Sequence, residues 1–453
     1  MNTNGKKILI IGAGKSGVAA AGLLKKCAIA FDLYDSNKDL NIEELIANNP
    51  ELKGESIIKG EMPLDACEKY SHAVLSPGVP TDLPDVLKLK DAGVKIWGEI
   101  ELAYVCGAGD VLGITGTNGK TTTTTLTGEI IKAHFKNVIV AGNIGTPYTS
   151  EVFGIPSDTV SVLELSSFQL ETVESFYPKV SAILNITPDH LNRHHTMEGY
   201  VRAKYNIAKN QTKSDVCVLN YEDVYLREFA DECPAKVIFF SSKRKMTDGM
   251  YLDGENIVLN KDGKDEILLN VNELNILGAH NYENVMAASL VALSYGVPLD
   301  TIKKVCREFV AVEHRIEFTA EVNGVKYYND SKGTNPDAAI KGICAMDRPT
   351  YLIGGGYDKQ SEYDEWVECF EGRVKKLVLI GTTKQKIADC CEKHGFKEYI
   401  FAETLEEAIN FCHDNAAPGE AVLLSPACAS WDMFKSYEQR GELFKEQVRN
   451  YLK

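Results

Sequence analysis

Asp110-Val111-Leu112-Gly113-Ile114-Thr115-Gly116-Thr117-Asn118-Gly119-Lys120-Thr121 reads as a short buried strand, Asp110 to Thr115, that passes through a glycine-rich loop into a helix. In that setting the loop glycines let backbone N–H groups close around phosphate oxygens. Lys120 reaches the β- and γ-phosphates, and the Thr121 hydroxyl is placed to ligate Mg²⁺. The pattern implies a nucleoside triphosphate. Its spacing departs from the usual one: Ile114 stands five residues before Gly119 and the first glycine is Gly116, which shortens the motif to G-x-x-G-K-T. A glycine-rich turn capping an ordinary helix is the plainer alternative. Thr121 to Thr125 is a threonine run, poor material for a helix, which beyond Thr121 reads as packing near the loop.

The chain has 453 residues, long for one core, so two or three domains are expected. Its 44% hydrophobic and 25% charged residues are those of an ordinary globular protein. No apolar run approaches a membrane span, and Met1 to Lys7 is polar and leads into a strand, so no signal peptide or membrane insertion is expected and the cytoplasm is the expected location. Twelve cysteines are scattered without a C-x-x-C pair, which reads as small apolar residues, mostly buried, in a reducing compartment. A net charge of −15 argues against a nucleic-acid surface. Anionic ligands must then be held by local backbone and Lys/Arg constellations.

Before the loop, a strand at Lys7 to Ile11 is followed by Gly12-Ala13-Gly14-Lys15-Ser16-Gly17, a helix, and a second strand (Ala30 to Tyr34) ending at Asp35. That is the G-x-G-x-x-G of a dinucleotide fold with a ribose-binding acid about 20 positions on. A further strand, His72 to Leu75, runs into Ser76-Pro77-Gly78-Val79-Pro80, a loop that exposes backbone. After the phosphate loop, strands at Asn137–Ala141, Val160–Leu165, Val180–Ile186 and Val216–Leu219 favour a parallel α/β sheet. From about Ala235 to Leu274, short runs broken by Asp253-Gly254 and Asp262-Gly263 predict antiparallel hairpins added to it. Asn281 to Tyr295 reads as a helix closed by Gly296. Strands at Val325–Tyr328, Thr350–Ile353, Lys376–Ile380 and Ala421–Leu424 alternate with helices and predict a last doubly wound domain. The fold class is therefore α/β in three domains: a Rossmann-like 1–98, a central P-loop mononucleotide-binding 99–312, and a doubly wound Rossmann-like 313–453.

Several side chains at strand ends could carry chemistry, since ligands of open α/β sheets gather there. Glu164 closes an apolar strand where an acid can hold the Mg²⁺ of a nucleotide; a solvent-facing glutamate is the alternative. His190 and His194 are spaced i, i+4, but a zincin would have glutamate where Leu191 stands, so His190 reads as a Mg²⁺ or substrate contact or a solvated helix start. Lys204, on an amphipathic helix from Tyr200 to Lys209, reads as a solvated face. Asn329-Asp330-Ser331-Lys332-Gly333-Thr334-Asn335, Gly354-Gly355-Gly356 with Lys359, and Ser425-Pro426-Ala427-Cys428-Ala429-Ser430 are loops after strands. Arg315 could reach a nucleotide phosphate or be an ordinary linker arginine.

The order of GTNGKT (116–121), GNIG (142–145), ELSSFQLE (164–171), HNYEN (280–284), HRIE (314–317), NDSKGTN (329–335) and LLSPACAS (423–430) resembles the Mur ligase family over essentially the whole chain. The resemblance implies an ATP-dependent amide-bond ligase of peptidoglycan assembly. Its first domain would hold the UDP part of one substrate, its second ATP and Mg²⁺ at two metal sites, and its third the incoming amino acid. The substrates it implies are UDP-N-acetylmuramoyl-L-alanine and D-glutamate, handled by a monomer. ATP would be held by Gly116, Thr117, Asn118, Gly119, Lys120, Thr121 and Thr122, with Asn281, Arg315 and Asp330 around the nucleotide. Gly14, Lys15, Ser16, Asp35, Ser36, Ser76, Pro77, Gly78, Asn143 and His190 would contact the UDP substrate. The glycine loop becomes a uridine-diphosphate site instead of an NAD site, and Ser36-Asn37 replace the Thr-Arg common in the family. Metal would be held by Thr121, Glu164, His190 and Lys204, the last as a carbamylated lysine whose charge is inverted. Lys120, His190 and Lys204 are the implied catalytic set. Lys332, Thr334, Lys359, Ser430 and Tyr437 would hold the amino acid, Tyr437 replacing the family's phenylalanine.

Two readings from other classes compete. An NAD-dependent oxidoreductase would use the first glycine loop but leave the phosphate loop and Glu164 without work. A nucleotide-binding regulator would bind ATP without amino-acid-dependent phosphate release. Within the resemblance, L-alanine-, L-lysine- and folate-glutamate-type ligases are the alternatives.

Overall fold

Strands β1 (Lys7–Ile11), β2 (Phe31–Asp35), β3 (Ser56–Lys59), β4 (Tyr70–Leu75) and β5 (Lys95–Gly98) form a parallel sheet in the order β3-β2-β1-β4-β5. Successive residues of β1 enter different cores: Ile8 and Ile10 one, Leu9 and Ile11 another. This follows from the two-residue period of a strand whose sheet is covered on both faces. These coordinates are a computed structural model, which describes residues 3–310 and 312–452. The start of the polar N-terminal segment, Met1 and Asn2, lies outside the described residues.

The second sheet has nine strands: β6 (Asp110–Thr115), β7 (Val138–Gly142), β8 (Val160–Glu164), β9 (Val180–Ile183), β10 (Val216–Asn220), β11 (Lys236–Ser241), β12 (Gly249–Asp253), β13 (Asn256–Lys261) and β14 (Lys264–Asn270). Their order is β14-β13-β12-β11-β10-β9-β6-β8-β7. β6 lies between β9 and β8, so the loop that leaves it opens at a point where the strand order reverses, the usual ligand crevice of such sheets. The predicted hairpin region needs correction at its start. β11 pairs in parallel with β10, and β12 in parallel with β11. Antiparallel pairing begins at β12 and β13, across the turn that contains Asp253-Gly254. The predicted strand Val180–Ile186 also stops early, at Ile183. The following residues turn to grip the phosphate loop instead: the N–H of Leu184 donates to Thr115 O at 3.0 Å.

The third sheet joins β15 (Glu317–Val322), β16 (Val325–Asn329), β17 (Thr350–Gly355), β18 (Val374–Ile380), β19 (Tyr399–Phe401) and β20 (Ala421–Leu424) in the order β15-β16-β20-β17-β18-β19. β15, a strand absent from the sequence reading, pairs antiparallel with β16; the other pairs are parallel. Leu352 faces one core while Tyr351 and Ile353 face the other, so this sheet too is covered on both sides. All twelve cysteines are free. Half are buried, five half-buried and Cys344 exposed, fewer buried than the composition suggested.

The chain divides into two compact units, Met1–Leu269 with Glu283–Cys306, and Asn270–Tyr282 with Arg307–Lys453. The first holds two sheets, which share one large apolar cluster containing Leu24, Ile100, Leu163 and Leu170. In the second, the outlying segment is tied to the rest: Asn275 Nδ2 donates to Arg307 O at 2.7 Å, and Leu277 packs on the core of β17 and β18.

Within the first sheet Asp32 is fully buried, a position a carboxylate can hold only with partners. Lys7 Nζ approaches Oδ1 at 2.7 Å, and Lys69 Nζ and the Tyr70 hydroxyl reach Oδ2 at 2.7 and 2.6 Å. Burial alone would raise its pKa. The hydrogen bonds from Lys69, Lys7 and Tyr70 overcome that and hold it at about 2, against an ordinary 3.8. A depressed acid stabilises the fold above its unfolded pKa and loses that contribution as pH falls toward its folded value. The stability of the wild type against urea should therefore fall between pH 3.8 and about 2 through this group. Asp32→Asn should be less stable at pH 7 and decline less steeply across that window.

Candidate functional site

The phosphate loop is held from three sides. The N–H of Thr117 donates to Asn185 O at 2.9 Å, the N–H of Asn118 donates to Asn185 Oδ1 at 2.8 Å, and Asn185 Nδ2 donates back to Asn118 O at 3.1 Å. The Thr117 hydroxyl lies 2.9 Å from the Tyr200 hydroxyl and accepts from the Thr187 N–H at 3.0 Å. Gly119 adopts φ +83°, and a Cβ there would lie 2.3 Å from Asn284 Oδ1, so the position admits glycine alone. Thr117 and Asn118 spend their N–H groups on Asn185, while the N–H groups of Thr121 and Thr122 lie in the first turn of a helix starting at Lys120, where a helix cannot bond them internally. The threonine run packs as expected: Thr121 to Thr124 are buried, and Thr123 donates to Asn284 Oδ1 at 3.2 Å.

Two lysines meet at one carbonyl of this loop. Lys120 Nζ donates to Gly116 O at 2.9 Å and to Thr117 O at 2.8 Å, and Lys204 Nζ donates to the same Gly116 O at 2.8 Å. Lys204, which the amphipathic pattern placed on a solvated face, is 1% exposed and lies over the Tyr200 ring. Burial, and then the neighbouring Lys120 charge, push its pKa well below that of an ordinary lysine. Its helix is Met197–Tyr205, ending four residues before the predicted limit.

Glu164 is 2% exposed at the end of β8. Oε1 accepts from Asn143 Nδ2 at 2.9 Å, while Oε2 is buried with no hydrogen-bond partner. A carboxylate oxygen left in that state is suited to a hard cation. His190 stands just before a short helix (Leu191–His194), 3.4 Å from Asp189, with its ring against Phe168. His194 does not join it as a zinc ligand: its ring nitrogens lie 2.9 Å from Ser167 Oγ and 3.1 Å from Glu171 Oε1. A cleft of about 740 Å³ opens beside the Lys204 helix, lined by Arg193, Arg202, Glu171 and Glu232. Arg193 is paired with Glu171 at 2.7 Å and Arg202 with Glu232 at 2.9 Å, and Lys209 Nζ, also in the lining of the cleft, donates to Val173 O at 2.6 Å.

At the first glycine loop, a Cβ on Gly17 would meet Gly12 O at 1.8 Å, which makes that glycine a packing requirement. Asp35 spends its carboxylate on the loops: Oδ2 accepts from the Ala13 N–H at 2.8 Å and Oδ1 from the Asn37 N–H at 2.9 Å. Ser76 donates to Gly12 O at 3.1 Å, which brings the Gly14-Lys15-Ser16 and Ser76-Pro77-Gly78 loops together. Lys15 Nζ reaches Gly145 O, in the GNIG loop that holds Asn143, at 2.7 Å. Ser36 follows directly on Asp35 at the same edge.

In the second unit, Asp330 is buried. Its Oδ2 accepts from Ser425 Oγ at 2.6 Å and its Oδ1 from the Ile316 N–H at 3.3 Å. Burial raises its pKa to about 7 against the pull of Ser425, Arg315 and Arg440. Arg315 Nε is buried without a hydrogen-bond partner, and Asn281 Nδ2 donates to Leu277 O at 2.7 Å. Lys332 Nζ lies over the Tyr437 ring, Lys359 Nζ is 3.4 Å from Thr334 O, and Ser430 is buried. The sequence reading missed Arg440, which is fully buried and braces these loops. It donates from Nε to Ser331 Oγ at 2.9 Å, and from Nη2 to Ser331 O at 2.8 Å and Cys428 O at 3.3 Å. The Ser331 hydroxyl donates in turn to Tyr437 O at 2.8 Å. An arginine in a helix pattern has no signal for such a role, which depends on three distant segments meeting. Two clusters with potential metal-binding atoms, Glu313-His314-Glu442 and Asp364-Cys390-His394, have lysines beside them. Lys445 lies against the first, and Lys393 Nζ is 2.5 Å from Asp364.

A phosphate loop at the switch point of a parallel sheet, with a buried acid closing the neighbouring strand, defines a P-loop nucleotide enzyme of α/β architecture. Residues 6–98 match the Mur ligase MurD-like N-terminal domain, 114–292 the Mur ligase middle domain, and 314–428 the Mur ligase glutamate ligase domain. The chain belongs to the Mur ligase family, and like its relatives it is an ATP-dependent ligase. It is 54% identical over 449 residues, 99% of each chain, to UDP-N-acetylmuramoylalanine–D-glutamate ligase of Lachnoclostridium phytofermentans. It is 46% identical, over 99% of this chain and 100% of the other, to the protein of that name in Clostridioides difficile. The fold is shared with UDP-N-acetylmuramate-alanine ligase MurC of Thermotoga maritima, at TM-score 0.61 and 20% identity over 99% and 100% of the two chains. It is shared also with MurF ligase of the same organism in complex with ADP, at TM-score 0.62 and 17% identity over 93% and 95%.

Replacing Arg440 by methionine would strand the buried carbonyls of Ser331 and Cys428, each costing about 1–3 kcal/mol when left unpaired. Arg440→Met should destabilise the second unit by about 2 kcal/mol or more, read from its transition in urea. Lysine at that position should recover only part, because it lacks the planar fork.

Proposed function

We propose that this Mur ligase joins the alanine carboxylate of UDP-N-acetylmuramoyl-L-alanine to the amine of D-glutamate, with cleavage of ATP to ADP and phosphate. It would do so as a monomer in the cytoplasm, on the route to peptidoglycan precursors. The observation that carries the reading is the meeting of Lys120 and Lys204 at Gly116 O, at the root of the phosphate loop. The choice of D-glutamate is supported by the names of the relatives, each of which matches nearly the whole chain. The division of labour that fits is residues 1–98 for the UDP substrate, 99–312 for ATP and 313–453 for the amino acid. An NAD-dependent oxidoreductase has no use for the phosphate loop or for Glu164.

A carboxylate is a poor acyl donor, since attack on it would have to expel oxide. One oxygen of the alanine carboxylate attacks the γ-phosphorus of ATP, the β–γ bridging bond breaks, and ADP leaves an acyl phosphate. Lys120 and the helix-start N–H groups of Thr121 and Thr122 draw charge from the γ-phosphate oxygens during that transfer. The D-glutamate amine then attacks the acyl carbon. The tetrahedral adduct expels phosphate, and the amine proton passes to solvent or phosphate.

Thr121 and Glu164, with its unpartnered Oε2, are the residues that would hold one Mg²⁺; His190 and a carbamylated Lys204 would hold a second. Bound magnesium would neutralise phosphate charge and so lower the repulsion met by an incoming carboxylate. Lys204 suits the modification through its burial: a neutral amine attacks CO₂, loses a proton and becomes an anion. Asn281, Arg315 and Asp330 would surround the nucleotide. Gly14, Lys15, Ser16, Asp35, Ser36, Ser76, Pro77, Gly78, Asn143 and His190 would take the UDP substrate. Lys332, Thr334, Lys359, Ser430 and Tyr437 would take D-glutamate.

Phosphate release from ATP in the presence of UDP-N-acetylmuramoyl-L-alanine should depend on D-glutamate and be at background with L-glutamate. ATP consumption indifferent to the amino acid would overturn the reading. Lys120→Ala should lower kcat by about 10²-fold or more while leaving UDP-substrate binding within a few-fold, by calorimetry. Lys204→Arg keeps the positive charge but cannot form the carbamate, so its turnover should fall comparably; near-normal turnover would remove the second metal site.

A further inference from the structure

Trp431 presents a large apolar surface where the fold does not need one. Its side chain is 64% exposed, whereas Trp97 and Trp366, the chain's other two tryptophans, are buried. A single exposed apolar side chain needs no explanation by itself; what its ring meets decides whether it has work to do. Here its ring packs against that of Tyr357, with centroids 5.7 Å apart, and Lys359 Nζ stands 5.5 Å from the indole centroid. The same ammonium is 3.4 Å from Thr334 O.

The backbone beneath this arrangement is fixed. The N–H of Tyr357 donates to Ala429 O at 2.9 Å, and the Ser430 carbonyl accepts from Phe434 at 2.8 Å. Asp432 Oδ2 accepts from the N–H of Thr382 at 2.9 Å. The backbone that carries the indole is therefore anchored, while Lys359 is a long exposed chain whose four rotatable bonds would otherwise spread its charge over many positions. A cation over an indole face is favoured by the ring quadrupole.

We infer that Trp431 is a positioning residue for the amino-acid substrate, holding the Lys359 ammonium over its ring, beside Thr334, where a carboxylate of the incoming dicarboxylic amino acid binds. The inference rests on the proposed function, in which Lys359 and Thr334 hold D-glutamate. Lys359 is the group that touches substrate; Trp431 acts through it. An aromatic face does this without competing for the carboxylate, as a second acid or amide would.

Steady-state kinetics on the full chain test this with Trp431→Ala, Trp431→Phe, Lys359→Met and the Trp431→Ala/Lys359→Met pair. Trp431→Ala should raise KM for D-glutamate about fivefold, with kcat and the KM for ATP moved less than about twofold. Trp431→Phe, which keeps a ring face, should recover most of that. In the Lys359→Met background, removal of Trp431 should add almost nothing, because the ring then has no cation to hold. An unchanged KM in Trp431→Ala, a loss that phenylalanine does not rescue, or an additive double variant would each overturn the inference. With an active wild type, those outcomes leave the proposed function standing. A wild type whose phosphate release ignores D-glutamate would overturn both.

Discussion

The proposed chemistry depends on two lysine side chains meeting at one backbone oxygen. Lys120 and Lys204 converge on the carbonyl of Gly116, and the second of them is sealed from water. Such an arrangement is tolerable because the loop is not free to yield. Asn185 clamps Thr117 and Asn118, Tyr200 meets the Thr117 hydroxyl, and Asn284 crowds Gly119. The Lys120 ammonium beside fixed backbone dipoles suits a triphosphate, and the loop supplies both locally within a chain of net charge −15. The overall charge thus says little about the ligand; the arrangement of a few backbone and lysine groups says much more.

The same principle, polar groups buried only when bonded, organises the other candidate regions. Asp32 sits among two lysines and a tyrosine, and Arg440 is spent on carbonyls and a serine hydroxyl. Asp35 ties two backbone N–H groups together at the first glycine loop. Glu164 Oε2 and Arg315 Nε are among the buried side-chain atoms left without a hydrogen-bond partner, as are Asn260 Oδ1, Trp366 Nε1 and Asp432 Oδ1. An unspent atom alone therefore does not mark a site; the two first named stand out because their residues are those proposed for metal and nucleotide.

Strands and loops with a strict local signature were legible before any coordinates. β1 was read at its observed limits, and the phosphate loop was placed between β6 and its helix. Pairing direction was less accessible. β11 and β12 have the short runs and Asp-Gly turns of hairpins, yet β12 reaches its parallel place beside β11 across the sheet, and no local pattern encodes that. β15 was missed although Glu317-Phe318-Thr319-Ala320-Glu321-Val322 alternates polar and apolar residues as a strand does. Among site residues, Lys204 and Arg440 share one reason for escaping notice: each is a long cation on a helix, which in isolation looks like solvated surface. Their burial is set by segments far away in the chain. Family resemblance supplied the first of them, and neither pattern nor resemblance supplied the second.

The border between the two units falls at Tyr282–Glu283, inside the continuous helix Ala279–Ser294, and the chain crosses between them three times. Asn270–Tyr282 belongs with the later unit although β14 and the rest of its helix belong with the earlier one. A gene cut once near residue 307 would therefore yield neither piece whole. The carboxy-terminal fragment would lack the strip bearing Asn275 and Leu277, and the other would carry that strip with nothing to dock on. Separating the halves by genetic engineering would need a spliced or permuted construction that respects this interleaving, because the order of the polypeptide is not the order of its parts.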